Sequence, residues 1–510
     1  MVTVEREPVD RDERRGQAAI LRRIWRLHFW VGLFAAPVLL TLALTGLVIL
    51  YTQPLDLWLH RDLKVVAQSA SQVSLDAQVD TARQNVSPDM VLDAVTPPDA
   101  PGHSTQVDFL PAEAPEVGER NVTQVFIDPY TGRYLGQRKD LSGVIGWANQ
   151  LHRLFGNDGP HVSLPSLGHI IAPSAYPDAS IKVGVGNLLI EMAAVWVLVL
   201  AASGIYLWWP RAIEKGKPRL AVRWRKGGRI RWRDVHATTG ILLSVVLICY
   251  IVSGMTWSRY WGENYRAVAA TVTPSTEIDA PSTPAKVGDF DRLGRRIAWA
   301  AKDDPVYAST NSDPSAKPLG FNDIDRIAKS ENMIPGYSIM PPSDSTEDGE
   351  TVYGSYTVVN HWPQRLSEQR TLYLNQFTGQ TITNATAAQD GALARATSWG
   401  ISMHMGNQYG LLTRISATLA CLAVLTSIVT ATLMWWKRRP TGSAGLPGRS
   451  SDTIRSNTPR GAVVAIGIIA TALAVLYPSF GVTLIVVLIA EAIVESRRRI
   501  PQEISPSDAS

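Results

Sequence analysis

Apolar and polar stretches alternate along this chain on a scale set by a bilayer. Four apolar runs, at 29–51, 186–208, 236–257 and 412–436, each match the ~20 residues a helix needs to cross ~30 Å of hydrocarbon. Two shorter runs, 460–477 and 480–495, meet at Pro478 and predict a tight hairpin. The pattern therefore predicts a polytopic α-helical membrane protein of about six spans. Between the spans lie two long polar segments, 52–185 and 258–411. Each predicts an amphipathic helix, "SLDAQVDTARQNV" or "FNDIDRIAKSEN", followed by β-rich stretches, which together make an α+β module. "VFIDPYTGRYLG" and "LYLNQFTGQTI" each place an aromatic-Thr-Gly turn between β-rich flanks, the pattern of a hairpin. The stretch 270–286 reads as a Pro/Ser/Thr linker, and 1–18 and 500–510 as disordered tails.

Charge orients the spans. The net charge of +4 is small, but 209–235 holds ten Lys/Arg against two acids, and 437–460 holds six against one. Seven Arg precede the first span and "SRRR" follows the last. The positive-inside rule puts these stretches and both termini in the cytoplasm, and 52–185 and 258–411 outside. Topology accounts for the basic loops, so no nucleic-acid partner is expected. The first span is expected to act as an export signal that is retained, since no small-residue cleavage site follows it.

Cys249 and Cys421 are the two cysteines, each mid-span, and read as small apolar core residues. Their number excludes a disulfide framework or a thiolate metal centre. No nucleophile elbow, P-loop or dinucleotide fingerprint occurs; "GVGN" and "GLPG" lack the required context.

The chain also reads as a duplication. His28, Gly32 and Gly46 match His236, Gly240 and Gly254 as H-x3-G-x13-G, with Thr45 and Ser253 before the second glycines. "SGIYLWWPR" answers "TATLMWWKR", and Trp147 stands five residues before His152 as Trp399 does before His404. The division is then a tail (1–20), a first repeat (21–211), a basic loop (212–235), a second repeat (236–438), a loop (439–459), a terminal hairpin (460–496) and a tail (497–510). Two spans per repeat give the halves one orientation, related by an axis along the membrane normal.

Such an axis pairs like histidines, His28 with His236 at the cytoplasmic face and His152 with His404 outside. Two facing imidazoles suit a six-coordinate haem iron. Gly46 lies five turns from His28 on the same helix face, ~27 Å along, and Gly32 one turn away. Both glycines, with Gly254 and Gly240, are read as clearing room for a flat macrocycle. The competing readings are an interfacial His beside Trp and Gly used only for packing. Zinc lacks a third or fourth ligand at metal spacing. His161 and His169, in the insertion "NDGPHVSLPSLGHIIAPSAYPDASI", stand as alternatives to His152. His60, His103 and His361 read as surface histidines. Glu191, inside the second span, is either interfacial or a proton or cation group.

"LHFWVGLFAAPVLLTLALTGLVIL", "DPYTGRYLG", "LHRLFG", "SGIYLWWPR" and "MHMGNQYG" together resemble the PepSY-associated transmembrane family over about residues 20–440. Several members are iron-regulated inner-membrane proteins, and some are siderophore reductases that bind haem. The resemblance implies two periplasmic PepSY-like modules and two haem b groups. It carries the family's histidines onto His28, His152, His236 and His404. It also implies transfer of electrons to ferric siderophore or another ferric chelate across the inner membrane. The electron donor, a cytoplasmic partner or a quinol, is unknown. Two rivals remain: a non-redox PepSY protein that inhibits a peptidase, and an accessory to iron-chelate transport.

Overall fold

The first apolar run is part of a longer helix, α1 (Arg11–Leu50), with Pro37 inside it. The computed structural model describes residues 11–112, 122–140, 142–154, 160–213, 220–225, 227–276, 278–286, 299, 302, 304–313, 315–347, 349–360, 363–442 and 460–497. After α1 come α2 (Thr52–Leu59), α3 (Arg61–Lys64) and α4 (Leu75–Arg83). Next are β1 (Met90–Thr96), β2 (Thr105–Pro111), β3 (Thr123–Ile127), β4 (Tyr134–Lys139) and α5 (Gly143–Leu154). Then follow β5 (His161–Pro165), α6 (Leu167–Ile171), β6 (Ser180–Gly184), α7 (Val185–Ile213), α8 (Arg229–Met255) and α9 (Tyr260–Val272). The second polar segment adds β7 (Ser282–Lys286), β8 (Pro305–Tyr307), α10 (Phe321–Ser330), β9 (Ser338–Met340), β10 (Ser345–Glu347) and β11 (Glu350–Val352). It continues with β12 (Ser355–Val359), β13 (Arg370–Asn375), β14 (Thr381–Thr386) and α11 (Ala392–His404). The chain closes with α12 (Leu411–Arg438), α13 (Arg460–Leu476) and α14 (Pro478–Arg497).

Four helical stretches are long and apolar enough to cross a membrane: Ile20–Leu50, Val185–Trp209, Arg229–Met255 and Leu411–Arg438. The expected fifth and sixth spans are shorter apolar helices, Val463–Leu476 and Pro478–Ile489. The stretch expected to be a linker holds the end of α9 and all of β7. Residues 1–10 and 498–510, which include most of the expected tails, lie outside the described residues.

The chain divides into two compact units. In the first, Val31 of α1 packs with Met192, Val195 and Trp196 of α7 and Phe480 of α14. The Trp196 ring lies 4.8 Å from that of Phe480, and its Nε1 donates to Thr483 Oγ1 at 3.0 Å. This contact seats the terminal hairpin on α7. Val463, Val464, Ile466 and Ile469 of α13 remain exposed, as lipid-facing side chains are and as a water-facing helix would not tolerate in such number.

The second unit is built on one antiparallel sheet of eight strands in the order β14-β13-β12-β9-β1-β2-β3-β4. Four strands come from each polar segment, and they meet at a single register pair, Val95↔Ile339. The order has the same logic from either edge: a hairpin strand, its partner, a third strand and the central one. Helices α4 and α10 cover one face, burying Leu75, Val79, Ala82, Phe321, Ile324 and Ala328 against Val95, Val107, Val125, Ile339, Val358 and Leu372.

Both expected hairpins form, with the same turn. Asp128 Oδ1 accepts from the N–H groups of Tyr130 and Thr131, and Asn375 Oδ1 from those of Phe377 and Thr378. Gly132 and Gly379 follow at φ 71° and 70°, a left-handed conformation that glycine adopts without steric cost.

Candidate functional site

The helices bring the four histidines together two by two. In the first unit His28, on α1, faces His236, on α8, with ring centres 6.4 Å apart and planes crossed at 82°. In the second unit His152, in the last turn of α5, faces His404, the last residue of α11. Their ring centres are also 6.4 Å apart, and their planes cross at 69°. All four rings are half-buried.

Each imidazole is held by a helix other than its own. Nδ1 of His28 lies 2.9 Å from Ser203 Oγ on α7, and Nδ1 of His236 lies 3.2 Å from Thr430 Oγ1 on α12. The Ser427 carbonyl stands 3.1 Å from that same His236 nitrogen. Nδ1 of His152 lies 3.0 Å from Thr45 Oγ1 on α1, and Nδ1 of His404 lies 3.2 Å from Ser253 Oγ on α8. One ring nitrogen is thus engaged in every case, and Nε2 is the nitrogen able to bind a metal.

The residue after the hydroxyl is small in all four helices: Gly46, Gly204, Gly254 and Ala431. The glycines let the imidazole edge lie against backbone. A Cβ built on Gly46 would stand 3.3 Å from His152 Cε1, on Gly204 3.2 Å from His28 Cε1, and on Gly254 2.8 Å from His404 Cε1. Gly46 and Gly254, read from the sequence as giving room for a flat macrocycle, each seat an imidazole of the pair formed by His152 and His404. Near Gly32 the closest side chain is Leu200, and nothing approaches Gly240 within 4 Å. Ser203, Gly204 and Thr430 carried no expectation. Their sequence signal was a hydroxyl followed by a small residue, a pair present in each long apolar helix.

Burial, then the nearby His404 imidazole and Arg153, hold the His152 pKa down at about 4, against a smaller upward pull from the Leu42 carbonyl. The ring is neutral at physiological pH, which is the state that offers a lone pair to a metal.

The remaining histidines lie elsewhere. His169 places Nδ1 3.0 Å from the Tyr176 carbonyl, and His161 is exposed in β5, so the residue facing His404 is His152. His60 pairs with Asp56 at 2.8 Å and His103 with Asp99 at 2.6 Å. His361 lies outside the described residues. Glu191 is fully buried in α7. Cys249 is exposed rather than in a core, which costs a small apolar side chain nothing where the neighbour is lipid. Cys421 lies beside Gly46, 3.6 Å from where its Cβ would stand.

The pairs fit a haem iron on distance and on donor set. A metal–imidazole bond is ~2 Å, so two such bonds in line, with ~1.2 Å from nitrogen to ring centre at each end, separate the centres by ~6.4 Å. Among the described residues no three His, Cys, Asp or Glu side chains gather as a metal cluster. Two donors from the protein suit a metal that brings its own equatorial ligands.

A family model described as the PepSY-associated TM region matches residues 25–438. No curated protein matches the chain. With most of its length matched, the chain belongs to the PepSY-associated TM family.

Proposed function

We propose that this PepSY-associated membrane protein is a haem-carrying reductase that passes electrons from the cytoplasmic side to a ferric siderophore in the periplasm. The observation that carries this reading is the repeated pair: two histidines with ring centres 6.4 Å apart, each with Nδ1 engaged, formed once in each unit. Haem b bound at each pair would supply a one-electron carrier whose potential depends on its axial ligands.

His28 and His236 would hold one group near the basic, cytoplasmic helix ends, and His152 and His404 the other near the segments that bear the sheet. Both termini would then lie in the cytoplasm, with the protein in the bacterial inner membrane. The protein's own contribution is to hold four imidazoles in place through hydroxyls on neighbouring helices. Electrons would enter from a cytoplasmic partner or a quinol. At the substrate, one electron converts the bound ferric ion to Fe(II), which hard oxygen-donor chelators hold less tightly, so iron is released.

The test is an absorption spectrum of the purified protein, followed by mixing the dithionite-reduced sample with a ferric siderophore and an Fe(II)-trapping dye. A Soret band that reoxidises as the dye develops supports the reading. A colourless protein, or a haem that stays reduced with every ferric chelate tried, overturns it.

A further inference from the structure

We propose that Thr45, Ser203 and Thr430 are positioning residues that fix the tautomer and the ring plane of the histidine each one faces. The proposal rests on the haem reading above and deepens it. Its foundation is how the hydroxyl proton is used. Thr45 Oγ1 donates to the Thr41 carbonyl at 2.7 Å, Ser203 Oγ to that of Leu200 at 3.0 Å, and Thr430 Oγ1 to that of Thr426 at 2.7 Å. A hydroxyl has one proton and two lone pairs. With the proton committed to its own helix, the oxygen meets imidazole only as an acceptor. Nδ1 must then carry the hydrogen, and Nε2 is left with the lone pair that binds iron.

The same contact sets rotation. The hydroxyl holds Nδ1, and the small residue after it lets Cε1 come against the backbone, 3.3 Å from a Cβ at Gly46 and 3.2 Å from one at Gly204. Two points fix a plane about the Cβ–Cγ axis. Because the two seats of each pair lie on different helices, the planes end crossed, at 82° and 69°, rather than parallel. Crossed axial planes give a low-spin ferric haem an EPR signal of the large-gmax type, and parallel planes do not. An acceptor on Nδ1–H also makes the imidazole a stronger donor to the metal, which lowers the potential.

The experiment compares the purified haem-loaded protein with Thr45→Val, Thr45→Ser, Ser203→Ala and Ser203→Thr by EPR, redox titration and haem transfer to an acceptor protein. In Thr45→Val the signal assigned to His152 and His404 moves away from the large-gmax position and its midpoint potential rises. Its haem is lost ~10–100-fold faster. The signal of His28 and His236 stays, as the control that the chain is folded. Ser203→Ala gives the reciprocal result, and Thr45→Ser and Ser203→Thr restore both signals. Wild-type EPR, potential and retention in Thr45→Val and Ser203→Ala would overturn this proposal while leaving the haem reading intact. A wild-type protein that binds no haem overturns the reading itself.

Discussion

Asp76 and Phe321 join the two polar segments: the Asp76 carboxylate accepts the Phe321 N–H at 2.6 Å and the Asn322 N–H at 3.2 Å, at the start of α10. The exchange is mutual, because Asn322 Oδ1 accepts the Leu75 N–H at 3.3 Å at the start of α4. Each helix therefore begins on a side chain borrowed from the other. Asp76→Ala should destabilise the sheet-bearing unit by about 1–2 kcal/mol, the range for a lost N-terminal cap. Gly320→Ala should also destabilise it, because the new Cβ would stand 2.6 Å from both Asp76 oxygens. Thermal melts of the two single variants and the double variant check the coupling. If Gly320→Ala costs as much without Asp76 as with it, the contact does not act as described.

Ligand exchange should separate the histidines by pair. His28→Ala and His236→Ala should remove the same haem signal, and His152→Ala and His404→Ala the other, each leaving about half of the haem. A haem quantitation with spectra of the four variants decides it. Loss of haem in His169→Ala with retention in His152→Ala would reassign the second pair.

The two glycine seats differ in tightness, and alanine should report the difference. At Gly254 the added Cβ would lie 2.8 Å from His404 Cε1, too close to accept without movement, whereas at Gly46 the distance to His152 Cε1 is 3.3 Å. Gly254→Ala should therefore release haem several-fold faster than Gly46→Ala. Equal rates in a haem-transfer assay would count against the seat.

These seats show where the sequence stops being readable. The pairing of His28 with His236 and of His152 with His404 was legible in the repeated H-x3-G-x13-G and Trp-x4-His patterns, and the rings do face each other two by two. The hydroxyl partner of each ring was not legible. Gly46 stands five turns from His28 on the same helix face, yet it and Thr45 serve His152. That contact crosses helices, and no periodicity within one helix encodes it. The aromatic-Thr-Gly hairpins were legible because their Asx turns are local. The union of both segments in one sheet was not, since β1 and β9 meet at one register pair with no local signature.

Asp56 and Asp390 should give opposite pH responses. Burial alone would raise the Asp56 carboxyl, but hydrogen bonds and charge from Arg138 and Lys64, at 2.5 and 2.6 Å, outweigh it and hold the group well below the usual carboxylate range. A depressed carboxyl stabilises the fold above its unfolded pKa of ~3.9, and that stability is lost as the pH falls through the lower folded value. Asp390 is raised to about 7, by burial first and then the Asp304 charge, against a smaller opposing effect of Arg395. Its contribution is complete below ~3.9 and is lost as the pH rises through about 7. Asp390→Asn should therefore raise the melting temperature at pH 8 and leave it unchanged at pH 4. Asp56→Asn should cost about 3 kcal/mol at neutral pH, the scale of breaking a buried ion pair. Melts from pH 3 to pH 9 test both.

The predicted orientation is best probed at the hairpin tips. Asp128 and Asn375 are buried and shape their turns, whereas Thr131 and Thr378 are exposed at equivalent turn positions. In a Cys249→Ala, Cys421→Ala background, Thr131→Cys and Thr378→Cys should both react with a membrane-impermeant maleimide in intact spheroplasts. Protection of either until the cells are lysed would reverse the assigned sidedness.

The single register pair between β1 and β9 has a consequence for biosynthesis. The chain emerges from its N-terminus, so β1 is made, and joins β2, long before Ser338–Met340 exist. Throughout that interval the first four strands expose an unpaired rim, the kind of edge that recruits stray strands from other chains. The insertion machinery must deliver two further membrane helices before the proper neighbour arrives. That open edge is the part of the architecture most exposed to misassembly before synthesis is complete.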